Sequence, residues 1–314
     1  MKRILITGGS GFLGKRLALD LRENYEVVLA SRNNKQNLNA EAITGCKTLP
    51  MDVARIESVR DAFLEAKPDI VIHAAATKFV DLSEKQPMEC IDVNVIGSQN
   101  VARVAIERGI EAVIGISTDK AAPPIYNTYG LSKAMMERMF CALDGDTQFM
   151  CVRYGNVVWS TGSVFPIWKS MHADTGVLRS TGPEMTRFFF SVEDAVQLIK
   201  TALAERSSLH GKILSQDMKS ARISDILDVW VAEKGGRWDR MSGRPGDRPY
   251  ECLIGQAELA YTGEALFGSR KHYVISPNDA RSHAILDVVS SDNTQRLSRG
   301  EISQLINDVP REEV

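Results

Sequence analysis

Thr7-Gly8-Gly9-Ser10-Gly11-Phe12-Leu13-Gly14 joins the first apolar run of the chain to its first helical pattern. Arg3-Ile4-Leu5-Ile6-Thr7 reads as a buried strand, and Gly14 to Glu23 as an amphipathic helix. The three spaced glycines meet three different demands. Gly8 permits a tight turn, Gly11 lets the backbone approach a pyrophosphate, and Gly14 lets the helix pack on the strand. The helix N-terminus then faces phosphate charge. Placed directly after a strand and opening a helix, the loop predicts a dinucleotide site in a doubly wound sheet. Thr7, Gly8, Gly11, Phe12, Leu13 and Gly14 are its candidate contacts.

Further strands follow outward from this loop. Glu26-Val27-Val28-Leu29-Ala30 is one, Ile70-Val71-Ile72-His73 follows a Lys67-Pro68-Asp69 turn, and Ala112-Val113-Ile114-Gly115-Ile116 succeeds another helix. Continuous apolar strands alternating with helices predict an α/β Rossmann fold, a parallel sheet buried on both faces with right-handed crossovers. Beyond about residue 160 tryptophan, proline and glycine become denser, which predicts a smaller C-terminal substrate-binding lobe. The expected organisation is residues 1–160 as the core, 161–290 as mainly lobe with some returning core elements, and 291–314 as a polar tail with mobile last residues.

The end of the second strand refines the ligand. An NAD site wants a carboxylate there for the ribose 2′-hydroxyl. Ala30-Ser31-Arg32-Asn33-Asn34-Lys35 offers no acid and two cations, which suits the 2′-phosphate of NADP. Ser31, Arg32 and Lys35 are the candidates for that phosphate, and Asp52 and Val53 for the adenine. A net charge of -2 gives no reason to expect nucleic acid. No apolar stretch approaches the roughly 18 residues of a membrane span, and the start does not read as a signal peptide. The 5 cysteines form no C-x-x-C pair, which argues against a zinc site or a disulfide framework and fits a reducing cytoplasm.

Ser117-Thr118-Asp119-Lys120 lies at the carboxyl end of a predicted strand, where open α/β sheets hold ligands. Tyr129-x-x-x-Lys133 follows on a predicted helix, one turn apart and on one face. A phenol titrates near about 10, so it is a poor base at neutral pH unless a neighbouring cation such as Lys133 stabilises the phenolate.

These segments resemble the UDP-N-acetylglucosamine 4,6-dehydratases, extended short-chain dehydrogenase/reductases, and especially the inverting type that epimerises C5. The likeness is carried by Ser117-Thr118-Asp119-Lys120-Ala121-Ala122 with Tyr129-Gly130-x-Ser132-Lys133, and by His73-Ala74-Ala75-Ala76-x-Lys78 with Glu89-Cys90-Ile91-x-x-Asn94. Arg153-Tyr154-Gly155-Asn156-Val157-Val158, Gly162-Ser163-Val164, Met185-Thr186-Arg187-Phe188 and Arg244-Pro245-Gly246-Asp247 extend it in order.

The resemblance implies a reaction. Tyr129 takes the proton from the sugar 4-hydroxyl while Thr118 orients that oxygen. Lys120 removes the C5 proton, Asp119 protonates the departing 6-hydroxyl, and hydride returns to C6. The product is a UDP-2-acetamido-2,6-dideoxy-hexos-4-ulose of L-arabino type. As a base Lys120 must be neutral, so its pKa is expected to be depressed. Ala74, Ala75, Ala76, Asn94, Tyr129 and Lys133 are implied cofactor contacts. Lys78, Asn156, Ser163, Val164, Arg187, Arg244 and Glu251 are implied substrate contacts, with an interlobe salt bridge an alternative for Arg187 and a strand cap for Lys78. A homo-oligomer is the family expectation, and no metal is implied. His73 reads as a packed strand histidine, and Phe188-Phe189-Phe190 as core.

Two departures stand out. The segment between Asp119 and Tyr129, Pro123-Pro124-Ile125-Tyr126-Asn127-Thr128, is one residue longer than the family spacing, which raises the prospect of a displaced Tyr129 or of Tyr126 as a second phenol. Trp159-Ser160-Thr161 replaces a usual Gly-Ser-Arg, losing a cation and placing an indole that would narrow the site. Competing readings are a sugar-nucleotide 4-epimerase or ketoreductase, which needs no Asp119-Lys120 pair, and a non-catalytic NADP-binding regulator.

Overall fold

A computed structural model describes residues 1–243 and 247–310. Its main sheet has nine strands: β1 (Arg3–Thr7), β2 (Glu26–Ser31), β3 (Lys47–Pro50), β4 (Ile70–His73), β5 (Ala112–Ile116), β6 (Gln148–Arg153), β7 (Ile213–Gln216), β8 (Thr262–Phe267) and β9 (Arg270–Ile275). Their order is β8-β9-β7-β6-β5-β4-β1-β2-β3. The seven strands from β3 to β7 pair in parallel, and β9 closes that edge antiparallel to β7 and β8. Ile4, Leu5 and Ile6, between β2 and β4, are fully buried, as strands covered on both faces require. This is the α/β Rossmann architecture with extra C-terminal strands.

The chain leaves β1 toward β2 and β3, then returns to β4 on the other side. That reversal opens a crevice at the carboxyl ends of β1 and β4. The helix Phe12–Leu21 starts at its mouth and buries Phe12, Gly14, Leu17, Ala18 and Leu21 on one side.

A second apolar cluster forms the lobe beside the crevice. Trp159, Phe165, Trp168, Phe189 and Trp230 are its large members, and Phe165 meets Trp159 and Trp230 edge-on at ring separations of 5.5 and 6.2 Å. Short sheets frame it, one joining Asn156–Val157, Thr186–Phe190 and Ser220–Arg222, the other joining Val177–Thr181 to Arg237–Met241. The stretch expected to trail as a polar tail instead contains a helix, Arg299–Asn307. Ile302 and Ile306 are buried in the lobe cluster, so one apolar stripe docks an otherwise polar segment. Among the described residues no helix is long and apolar enough to cross a membrane.

Candidate active site

A cleft of about 940 Å³ runs from the glycine loop, past the ends of β4, β5 and β6, to the lobe. At its first end Gly8 takes a left-handed φ of 67°. A Cβ there would lie 2.8 Å from the Ala75 backbone, and one at Gly14 would lie 2.5 Å from Gly9 Cα. Turn and helix therefore pack as closely as only glycine allows. The helix begins at Gly11 with no side-chain cap and no acidic residue in its first turn. Its unpaired N–H groups and positive dipole end suit a pyrophosphate.

Thr7 departs from expectation. It is buried outside the cleft, where its hydroxyl accepts from Ala75 N at 3.1 Å and meets His73 Nδ1 at 2.8 Å. Asn94 also lies behind the wall. Its amide binds the Thr77 backbone in both directions, at 2.8 and 2.9 Å, and Ser132 Oγ at 2.9 Å. It stands in a π-helical turn, Asp92–Ile96, and pins the strand end that carries Ala74, Ala75, Ala76 and Lys78 along the cleft.

Ser31, Arg32, Asp52 and Val53 line the end near β2, joined by Ser10, Asn33 and Gln36, which sequence reasoning passed over. Arg32 pairs with Glu89 at 3.2 Å, both exposed. Lys35 is exposed and does not line the cleft, so one of the two expected cations is out of place.

Thr118, Lys120, Tyr129 and Lys133 come together on the wall made by β5 and the helix Thr128–Cys141. Asn127 caps that helix, accepting from Gly130 N at 2.7 Å. A Cβ at Gly130 would meet Lys120 O at 2.2 Å, so helix start and Asp119–Ala121 turn are in direct contact. The longer loop thus leaves Tyr129 beside the pair, with its phenol within the electrostatic reach of Thr118, Asp119 and Lys120. The surplus residue is accommodated outward, where Tyr126 is 62% exposed and cannot serve as the second phenol.

Lys133 does not reach the phenol as expected. Its ammonium donates to Ile116 O at 2.7 Å, and burial lowers its pKa to about 8. Burial likewise pushes Tyr129 up to about 12, against the smaller opposing pull of Lys120.

Asp119 is completely buried and lies outside the cleft lining. Its Oδ1 accepts from Thr118 Oγ1 and from Lys120 Nζ, both at 3.0 Å, while Oδ2 has no partner among the described residues. Burial raises its pKa above the ordinary carboxylate range. The expected depression of Lys120 is not found. Burial does work in that direction, but the carboxylates of Asp119 and Glu251 outweigh it and hold the ammonium above its usual value.

Asn156 accepts from Lys120 Nζ at 3.5 Å and, with Ser163, Val164 and Arg187, lines the lobe end of the cleft. Arg187 donates to Thr186 O at 2.8 Å and lies 3.9 Å from Glu251, so it combines the expected bridge with a place on the cleft. Lys78 also lines the cleft, 5.8 Å over the Phe79 ring. Glu251, expected at the substrate, is buried outside the lining. Arg244 lies outside the described residues. Trp159 does not narrow the cleft. Its backbone is left-handed (φ 60°) and its indole points into the lobe, donating to Leu305 O at 2.8 Å. His73 and Phe188 are core, as read. Arg248, missed in the sequence, anchors Glu251 from three residues away.

A Rossmann crevice closed by a C-terminal lobe, with a Tyr-x-x-x-Lys helix on its wall, defines an extended short-chain dehydrogenase/reductase. The chain belongs to the family described as polysaccharide biosynthesis protein, whose model matches residues 4–266. The inverting UDP-N-acetylglucosamine 4,6-dehydratase of Campylobacter jejuni is 32% identical, over 98% of this chain and 90% of that one. The UDP-glucose 4-epimerase of Rickettsia prowazekii is 34% identical, over 97% and 95%. Among solved structures, Pen from Bacillus thuringiensis superposes with a TM-score of 0.88 at 27% identity, covering 97% of this chain and 96% of that one.

Proposed function

We propose that this chain is an NADP-dependent UDP-N-acetylglucosamine 4,6-dehydratase that inverts C5. The observation that carries the reading is the buried Asp119–Lys120 pair, hydrogen-bonded at 3.0 Å and set beside Tyr129 and Thr118. A bound nicotinamide dinucleotide supplies the acceptor, and later the donor, of hydride. The glycine turn and uncapped helix suit its pyrophosphate, and the acid-free end of β2, with Ser31 and Arg32 on the cleft, suits a 2′-phosphate. The Arg32–Glu89 pair is exposed, and such pairs are weak, so Arg32 is free to exchange partners.

Thr118 orients the sugar 4-oxygen, and Tyr129 would accept its proton as a phenolate, a form that the positive charge of a bound nicotinamide would favour against the burial that holds the free phenol protonated. The resulting 4-keto group acidifies the proton at C5. Transfer of one proton from the Lys120 ammonium to Asp119 then leaves a neutral amine and a carboxylic acid. These are the base and the acid that elimination needs. Burial of Asp119 favours that neutral pair, because a low dielectric penalises both charges. Lys120 takes the C5 proton, and Asp119 returns a proton to the departing 6-hydroxyl. Gly155, on the cleft, is the residue over the unpartnered Oδ2. A Cβ there would lie 3.3 Å from it and 2.4 Å from Phe188 Cβ, so a side chain at this position would crowd the acid. On return of hydride from a bound dinucleotide to C6, a proton delivered by the Lys120 ammonium to the opposite face of C5 would invert that centre and complete the cycle.

Likeness to a UDP-glucose 4-epimerase favours a second reading, C4 epimerisation by Thr118, Tyr129 and Lys133 alone. Incubation with UDP-N-acetylglucosamine in D₂O, followed by NMR, separates the two. A 6-deoxy-4-keto product with deuterium at an inverted C5 is expected. Epimerisation at C4 with the 6-hydroxyl retained would overturn the dehydratase reading.

A further inference from the structure

Glu251 is a charged group beside the acid–base pair that has no task in the reaction above. It stands just before the strand Cys252–Ile254, 3% exposed and outside the cleft lining. Its position is fixed from several sides. Oε2 accepts from Arg248 Nε at 2.6 Å, and the backbone N donates to Ser291 Oγ at 3.0 Å. Arg248 also donates from Nη1 to Pro124 O at 2.8 Å and lies 5.0 Å over the Tyr126 ring. The lengthened loop is thereby tied to the carboxylate. Oε1 is turned the other way, 3.6 Å from Lys120 Nζ.

We propose that Glu251, clamped by Arg248, is a positioning residue that sets the charge of Lys120 from behind the acid–base pair without touching substrate. The inference rests on the reading of Lys120 as the C5 base. The ammonium faces Asp119 Oδ1 at 3.0 Å, Asn156 Oδ1 at 3.5 Å and Glu251 Oε1 at 3.6 Å. Arg187 and the Tyr129 phenol complete its charged and titratable surroundings, and Arg248 acts through Glu251.

Two carboxylates thus compete for one ammonium, and they are not equivalent. Asp119 meets no guanidinium among the described residues, so a proton is held more readily on it than on Glu251. Lys120, Arg187 and Arg248 together hold Glu251 below its ordinary range in spite of burial, so it stays ionised. Its charge favours the ammonium and restrains the proton's move to Asp119. The guanidiniums of Arg248 and Arg187 temper that restraint. The balance keeps Lys120 charged at rest yet within reach of discharge.

Glu251→Gln and Arg248→Gln in the full chain test the sign of this balance. Lys120 is followed by ¹³C NMR of lysine-labelled protein, its signal assigned by loss in Lys120→Arg. Glu251→Gln is expected to lower the Lys120 midpoint by about one to three pH units, the effect of an opposite charge at this range. Arg248→Gln is expected to move it upward. The rising limb of the pH profile for deuterium entry at C5 should shift the same way in each variant. A purely structural role would reduce rate in both variants and leave the midpoint in place. An unmoved midpoint in folded Glu251→Gln, or both variants moving one way, overturns the inference. If Glu251→Gln fails to fold, the upward shift in Arg248→Gln decides it alone. Midpoints that move as stated, with no deuterium entering C5 even in the unaltered protein, support the charge relation and reject the dehydratase reading.

Discussion

The His73 ring has a partner on each side, Thr7 Oγ1 at 2.8 Å and Ser98 Oγ at 3.0 Å. Thr7 already accepts from Ala75 N, so its hydroxyl proton goes to Nδ1. Ser98 donates to Asn94 O at 2.5 Å, so it accepts from Nε2. An accepting Nδ1 requires a neutral ring. Burial, aided by the charge of Lys133, drives the His73 pKa down to about 3. The unfolded chain keeps the ordinary value near 6.5, so between these limits only the unfolded state binds the proton. Stability from this group is whole above about 6.5, falls by roughly 1.4 kcal/mol per pH unit below that, and levels near the folded value. Urea midpoints at pH 7 and pH 5 should therefore differ more in the unaltered protein than in His73→Gln. Equal differences would sink the account. The glycines, Tyr129 and Lys133 were legible because their chemistry is encoded in short spacings. Arg248 was not, since its second partner, Pro124, is 124 residues away. The charge on Lys120 was misread for the same reason. Asp119 is adjacent in the chain, but Glu251 arrives only through the fold.

At the scale of elements, β1, β2, β4 and β5 could be read almost to the residue, because a strand buried on both faces writes itself as an uninterrupted apolar run. The helix Arg299–Asn307 could not. It is 9 residues long and buries only Ile302 and Ile306, too few positions for periodicity to register. Its start was nonetheless written locally, as a capping box. Ser298 Oγ accepts from Glu301 N at 3.3 Å, and Glu301 accepts from Ser298 N at 2.9 Å. Lys219 and these cap bonds hold the Glu301 pKa down to about 2. Ser298→Ala should cost about 1 kcal/mol. Thermal melts should show a modest loss, and amide exchange should locate it in this helix. Unchanged exchange there would mean that the two isoleucines alone set its stability.

For the whole molecule, the tryptophan that precedes the cleft-lining segment 160–164 is held by Leu305 O in the last described helix. Among the described residues the dinucleotide end of the cleft has no hydrogen bond to that helix, though Phe12 belongs to the same apolar cluster as Ile302 and Ile306. Its glycine turn, β1 and β2 belong to the first 31 residues. A chain ending at Leu297 should keep reduced-dinucleotide fluorescence binding within a few-fold of the full chain, and lose sugar-nucleotide turnover. Turnover at the full rate would show that Trp159 keeps its place without the helix. Loss of dinucleotide binding as well would show that core and lobe are one cooperative unit. The position of this contact also orders the making of the protein. On the ribosome the phosphate-binding turn emerges with the first strands, whereas the indole waits for a carbonyl made nearly 150 residues after it. A nascent chain can therefore form its glycine turn long before the wall at segment 160–164 is anchored through Trp159.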